Sequence, residues 1–242
     1  MTIAFDSCSH IRILVVEDND VNQMLVSYQL TQIGVAFDIA DNGHEALSFL
    51  SENDYTLVIC DCHMPYMDGY QLSKQIRSGH SIYKDIPIIA MTADVLNDQR
   101  ERCLRAGMND LLSKPIRIDQ LRDTLWRWGL FDNNGLDVEQ LRGSFGGVDV
   151  LVEMLRAANT SLESGLMVPV DADERVDWVH KHTGTVALLG LTSLEKYGAF
   201  VETKLQENVE LDEYRHYRAK LFLLMRQLGC LIAHMNNEKS DG

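Results

Sequence analysis

The sequence predicts two folds in one chain: a parallel α/β sheet over residues 10–129 and an all-α, antiparallel four-helix bundle over residues 136–238. Short β-rich runs alternate five times with amphipathic helical stretches before residue 129, which is the pattern of a parallel sheet covered on both faces. LFDNNG (130–135) then breaks the alternation with Asp, Asn and Gly and reads as a linker. Beyond it no strand series recurs, and long helical patterns with short connections take over.

In chain order, the β-rich runs are IRILVV (11–16), AFDIA (36–40), TLVIC (56–60), IPIIAM (86–91) and a weaker NDLLS (109–113). IRILVV and IPIIAM are almost wholly apolar, as strands buried on both faces should be. Helical patterns lie near 20–33, 44–52, 69–78, 95–106 and 118–128, and Gly34, Gly107 and Gly129 stand where helices should stop. After the linker, a short helix is expected at DVEQLRGSF (137–145). Longer ones follow at 148–166, 171–191, 194–209 and 211–235, with Asp171 as a plausible cap of the second long helix.

Bulk properties exclude several classes of function. The net charge is −14, shared equally between residues 1–131 and 132–242, so neither half offers the basic field that nucleic acid requires. No apolar run approaches the ~20 residues of a membrane span, and MTIAFDSCSH is too polar for a signal peptide. Five cysteines without regular spacing read as reduced thiols in packing or surface positions, which fits a cytoplasmic protein.

In open parallel sheets the ligand crevice lies at the carboxyl ends of the strands. The first run ends in Glu17-Asp18, the third in Asp61 and the fourth in Thr92, and the fifth is followed by Lys114-Pro115. Three carboxylates, a hydroxyl and an ammonium therefore converge on one edge. Carboxylates with retained waters suit Mg²⁺, and a carboxylate beside Mg²⁺ can attack phosphorus to give an acyl phosphate. The ammonium and hydroxyl would stabilise charge on the transferred group.

VVEDNDVN, CDCHMPYMDGY, MTAD and SKPI resemble the signature segments of response-regulator receiver domains, over about residues 10–128. The resemblance implies a flavodoxin-like sheet of order 2-1-3-4-5. It implies Asp61 as phosphoacceptor and Glu17, Asp18, Asp61 and the His63 backbone carbonyl around Mg²⁺. Thr92 and Lys114 would contact the phosphoryl group, with a cis Lys114–Pro115 bond. The family's usual aromatic switch residue is replaced here by Leu111. His63 is expected to line the path of attacking water.

VHKHTGTVALLG (179–190) carries two histidines. On a helix, positions 180 and 182 point roughly 160° apart, so they cannot share a metal. His182 falls on the side of Val179, Val186 and Leu189 and reads as a packed histidine. His180 falls at the edge of that face, and the residue four positions on, which would cover it, is Gly184. A mid-helix glycine costs about 1 kcal/mol, and here it leaves an imidazole open to an approaching protein. A neutral imidazole is a competent nucleophile near neutral pH.

His180, Gly184 and Gly190 resemble the histidine-containing phosphotransfer (HPt) motif, over about 136–236. The family's lysine three residues after the histidine is Thr183 here, with Lys181 adjacent instead. Together the two resemblances imply a phosphorelay: an upstream histidine kinase to Asp61, then His180, then a downstream response regulator. The pairing is similar to the C-terminal end of unorthodox bacterial hybrid sensor kinases. No glycine-rich nucleotide-binding segment and no DNA-binding output module is visible. Two other readings stand beside the relay. In one the chain is a phosphorylation-gated interaction protein whose bundle only docks partners. In the other it is a metal-dependent hydrolase, which lacks a second acid–base residue beside Asp61.

Overall fold

The computed structural model describes residues 11–79, 81–93, 97–128, 141, 143, 148–168, 170–171, 174–207 and 211–240. The chain divides into two compact units, Met1–Trp128 and Gly129–Gly242. Gly129, the expected linker 130–135 and most of the short helix read over 137–145 lie outside the described residues.

The first unit is a five-stranded parallel sheet: β1 (Arg12–Val16), β2 (Ala36–Ala40), β3 (Leu57–Asp61), β4 (Ile88–Thr92) and β5 (Asp110–Ser113). Its order is β2-β1-β3-β4-β5, the flavodoxin-like arrangement expected. β1, β3 and β4 supply the core, with Ile13 to Val16, Leu57 to Cys60 and Ile88 to Met91 all buried. Helices α1 (Asp20–Ile33), α2 (Gly43–Glu52), α3 (Gly69–Ser78) and α4 (Asn97–Arg105) join the strands, and α5 (Ile118–Arg127) follows the last of them. Asn19 caps α1 by accepting from the Val21 and Asn22 amides, and Gly34 ends it at φ 83°. Asp68 and Gln71 form a capping box at the start of α3.

Four of the five strands differ from the sequence reading by one or two residues at an end, and β4 and β3 show why. β4 begins at Ile88 because Pro87 has no N–H to add to a ladder, although its carbonyl still accepts from Val58. β3 runs on to Asp61, and the Cys62 amide extends the pairing to Met91 O at 3.0 Å. A 3₁₀ turn, Ile82–Asp85, precedes β4 and has no periodic signature in the sequence.

The register aligns the strand ends. Asp61 pairs with Met91 and Thr92 with Ser113, the Glu17 amide bonds Ala40 O, and the Lys114 amide bonds Thr92 O. The five residues singled out at the strand ends thus reach one edge, at the switch point where β1 neighbours both β2 and β3.

Among the described residues the second unit is a four-helix bundle: α6 (Val148–Met167), α7 (Arg175–Leu188), α8 (Thr192–Gln206) and α9 (Leu211–Ser240). α6 packs on α7 and α9, and α8 packs on the same two. Leu151, Leu155, Leu162 and Leu166 form the buried stripe of α6, and Trp178, Val179, His182 and Val186 that of α7. Gly190, at φ 70°, turns the chain from α7 to α8.

The expected cap at Asp171 is not the cap. α7 starts at Arg175 with Glu174 preceding it, and the Asp171 carbonyl accepts from the Glu174 amide in a turn before the helix. Two segments left unpaired by the sequence reading, Gly198 and Thr183, meet inside the bundle. A side chain on Gly198 would overlap Thr183 Oγ1 and come within 2.7 Å of Tyr217 Oη. Among the described residues no helix is long and apolar enough to cross a membrane.

Candidate functional site

Glu17, Asp18 and Asp61 each offer a carboxylate oxygen, and the three lie within 4.8 Å of one another. Glu17 and Asp61 are buried and Asp18 is exposed, so the cluster opens to solvent on one side. Like charges this close repel. Lys114 answers part of that repulsion: its ammonium donates to Glu17 Oε2 at 2.6 Å and to Asp61 Oδ2 at 2.7 Å. Burial works against the Lys114 charge, but these two hydrogen bonds outweigh it and raise the ammonium's pKa above its ordinary value. Asn22 Nδ2 donates to Glu17 Oε1 at 2.9 Å and holds that carboxylate from the α1 side.

Three carboxylates against one ammonium leave an excess of negative charge with hard oxygen donors, the donor set Mg²⁺ prefers. The residues therefore fit a divalent cation held by Glu17, Asp18 and Asp61. The His63 amide donates to Asp61 Oδ1 at 3.2 Å, which fixes the loop beyond β3 against the carboxylate. Gly69 closes that loop, because its amide bonds Cys62 O at 3.2 Å and a Cβ there would overlap the Asp61 carbonyl oxygen. The Lys114–Pro115 bond is cis.

Thr92 is buried at the end of β4, and Gln99 Nε2 from α4 lies 3.3 Å from its Oγ1. The same amide bonds the Tyr70 hydroxyl. His63 is exposed and meets the Tyr70 ring edge-on at 6.0 Å. Gln99 and Tyr70 were not singled out from the sequence. They lie on two helices 29 residues apart, and nothing in the spacing pairs them.

In the bundle the two histidines separate as their helix angles require. His182 is 1% exposed, its Nδ1 is 2.7 Å from Trp178 O, and its ring stacks on Trp178 at 4.1 Å. Burial lowers its pKa below the ordinary histidine value. The His180 side chain is 77% exposed, and a Cβ on Gly184 would meet nothing within 4 Å. Its Nδ1 lies 3.3 Å from the Glu202 carboxylate of α8. A carboxylate only accepts, so this contact assigns a proton to Nδ1, and in the neutral ring it leaves the lone pair to Nε2. Glu202 is a third residue not singled out from the sequence, since it sits 22 positions away on another helix. Thr183 is bonded to Tyr217 Oη at 2.9 Å inside the bundle, whereas the His180 side chain is exposed.

Residues 13–125 match the response regulator receiver domain family. The chain carries a receiver domain. Its receiver is 44% identical over 123 residues to the hybrid signal transduction protein dokA of Dictyostelium discoideum, a match covering 51% of this chain and 7% of that protein. The sensor histidine kinase GacS of Pseudomonas protegens is 29% identical over 87% of this chain and 26% of its own length. That alignment is longer than the receiver alone. Among solved structures, the receiver of a Pseudomonas aeruginosa sensor histidine kinase, with a magnesium ion coordinated in its active-site cleft, is 38% identical. It covers 49% of this chain and 96% of that one, with a TM-score of 0.46. The chain spans a small fraction of the curated relatives it matches, and those relatives come from an amoeba as well as from bacteria, so the receiver does not specify a bacterial source.

Proposed function

We propose that the chain is a two-component phosphorelay protein, with a receiver over 10–129 and an HPt-like bundle over 136–238 joined by the linker 130–135. Asp61 accepts a phosphoryl group from the phosphohistidine of an upstream kinase: the P–N bond breaks and a P–O bond forms at an Asp61 carboxylate oxygen. The P–O bond then breaks as His180 Nε2 bonds phosphorus, and a downstream response regulator takes the group onto its own aspartate.

Glu17, Asp18, Asp61 and the His63 carbonyl would hold Mg²⁺. When bound, the ion supplies positive charge to the phosphoryl oxygens. Lys114 is already hydrogen-bonded to Asp61 and is placed to follow an oxygen of the acyl phosphate. Thr92 would donate its hydroxyl to the same group while its oxygen accepts from Gln99.

The observation that carries the relay is His180: an exposed imidazole, anchored through Nδ1 by Glu202, with Gly184 leaving the space beside it open. Leu188, 70% exposed, lies two turns on and about 80° around α7 from His180. On the receiver, Val21, Met24, Leu25 and Tyr28 leave an apolar stripe exposed on α1, at the helical spacing i, i+3, i+4, i+7 and just beyond Asp18. An exposed apolar stripe of this kind suits docking of a partner helix. The GacS alignment, which extends past the receiver, supports treating both units as one signalling segment.

Thr183 supports a second reading. With its hydroxyl bonded to Tyr217, Lys181 is the nearest cation in sequence to His180, and the bundle would then be a docking module only. Labelling by a histidine kinase separates the two. Wild type, Asp61→Asn and His180→Gln are compared, and the relay requires base-stable label that both variants lose. Label confined to Asp61 favours the docking module.

A further inference from the structure

Two buried thiols beside the acidic site take no part in the chemistry described so far. Cys62 and Cys103 are 41 residues apart in sequence, yet their Sγ atoms lie 3.8 Å apart, in van der Waals contact. Cys62 is 0% and Cys103 1% exposed. Cys62 stands between Asp61 and His63 in the loop after β3, and Cys103 is on α4. Tyr70 is within hydrogen-bonding reach of both thiols. Tyr70 also bonds Gln99, and the Arg102 guanidinium lies 4.1 Å over its ring. Tyr70 and Arg102 also line a surface cleft between α3 and α4 that neither sulfur reaches, so a peroxide meets the pair only when α4 moves.

We propose that Cys62 and Cys103 form a reversible disulfide when the protein meets a peroxide, and that the bond restrains phosphorylation of Asp61. The reaction balances as two thiols and one peroxide giving a disulfide and two waters. One thiolate attacks the O–O bond, forming a sulfenic acid and releasing water. The second sulfur then displaces the sulfenic oxygen, which leaves as the second water, and a dithiol reductant reverses the bond.

A disulfide brings its sulfurs to about 2.05 Å, so the pair must close by roughly 1.8 Å. Cys62 cannot travel far. Its amide is bonded to Met91 O at 3.0 Å, and its carbonyl accepts from Gly69 at 3.2 Å. α4 is a nine-residue helix whose charged side chains face solvent, so side-chain rotation and a shift of α4 toward β3 take up the closure. That shift carries Gln99, whose amide donates to Thr92 Oγ1, toward the end of β4 beside Asp61 and narrows the space for a phosphoryl group. Oxidation therefore slows acceptance at Asp61, a consequence that rests on the phosphoacceptor reading, whereas the bond itself does not.

The test uses the full chain. Reduced protein is exposed to hydrogen peroxide, alkylated, digested without reductant and mapped by mass spectrometry. Labelling of Asp61 by acetyl phosphate with Mg²⁺ is measured in parallel. The expected map joins the Cys62 and Cys103 peptides, two hydrogen atoms lighter than their sum, and dithiothreitol separates them. Labelling should fall severalfold on oxidation and recover on reduction. Cys103→Ser, checked for an unchanged thermal midpoint, should label equally with and without peroxide. Separate alkylation of both cysteines at a peroxide dose that oxidises the partly exposed Cys230 would overturn the disulfide. A joined peptide with unchanged labelling would overturn the restraint. The map decides the bond even if reduced protein takes no label, a result that would count against Asp61 as acceptor.

Discussion

Lys114 Nζ lies 2.7 Å from Asp61 Oδ2 and 2.6 Å from Glu17 Oε2, bridging two buried carboxylates whose residues sit at the ends of different strands. It is one ammonium shared by a cluster that also contains Asp18. The site therefore carries more negative than positive charge.

Asp61→Asn removes one charge and keeps an acceptor for Lys114. Without Mg²⁺ the variant should be more stable than wild type, by about 0.5–1.5 kcal/mol of relieved like-charge repulsion. Cation binding to the native state alone raises stability by mass action. Thermal melts with millimolar Mg²⁺ or with a chelator should show a large metal-dependent rise in wild type and a small one in the variant. An equal rise in both would remove Asp61 from the cation site.

Glu202 fixes which His180 nitrogen is free. Glu202→Gln keeps an oxygen acceptor for Nδ1–H and should transfer phosphate at close to the wild-type rate. Glu202→Ala removes the acceptor and should slow transfer by about tenfold, the rate equivalent of one hydrogen bond of about 1.4 kcal/mol. Single-turnover transfer to His180, with the bundle's thermal midpoint as the control for folding, measures the difference. Equal rates in the two variants would remove Glu202 from the transfer step.

Much of this was legible in the sequence. β1, β3 and β4 show as apolar runs because strands covered on both faces require them, whereas the edge strands β2 and β5 show more weakly, and the acidic site follows from reading what ends the runs. His180 and His182 separate by helix angle alone. Contacts that depend on how separate elements pack were not legible. Glu202 meets His180, Tyr217 meets Thr183, and Gln99 meets Thr92 only after packing sets the elements against one another. Asp171 had the right residue type for a cap, but the chain makes a turn at that point and α7 begins after it.

Burial lowers the pKa of His182 below its ordinary 6.5. As pH falls, the unfolded chain takes up that proton first. The stability contributed by the neutral ring is complete above about 6.5 and is lost as pH falls through the folded value. His182→Phe should flatten this part of the profile while losing about 1 kcal/mol from the Trp178 carbonyl's hydrogen bond. Urea unfolding of the full chain from about pH 7.5 to about pH 5 checks it, and an unchanged slope in the variant would assign the dependence elsewhere.

Gly198 lets α8 approach the Thr183–Tyr217 pair. Gly198→Ala forces a methyl group onto both hydroxyls and should destabilise the bundle by about 1–3 kcal/mol, as overpacking does. A lowered thermal midpoint of the helical unit, with Mg²⁺-dependent stabilisation of the receiver preserved, is the expected result. An unchanged midpoint would mean that α8 can shift without penalty.

The central claim is that one phosphoryl group passes from Asp61 to His180. The most direct measurement is a rapid-quench time course on the full chain, labelled by a histidine kinase and then freed of ATP. Base-labile acyl phosphate should appear first, and base-stable, acid-labile phosphohistidine should grow at its expense, with His180→Gln stopping at the first species. Acyl phosphate that decays to inorganic phosphate in wild type, with no phosphohistidine at any time, would contradict the relay.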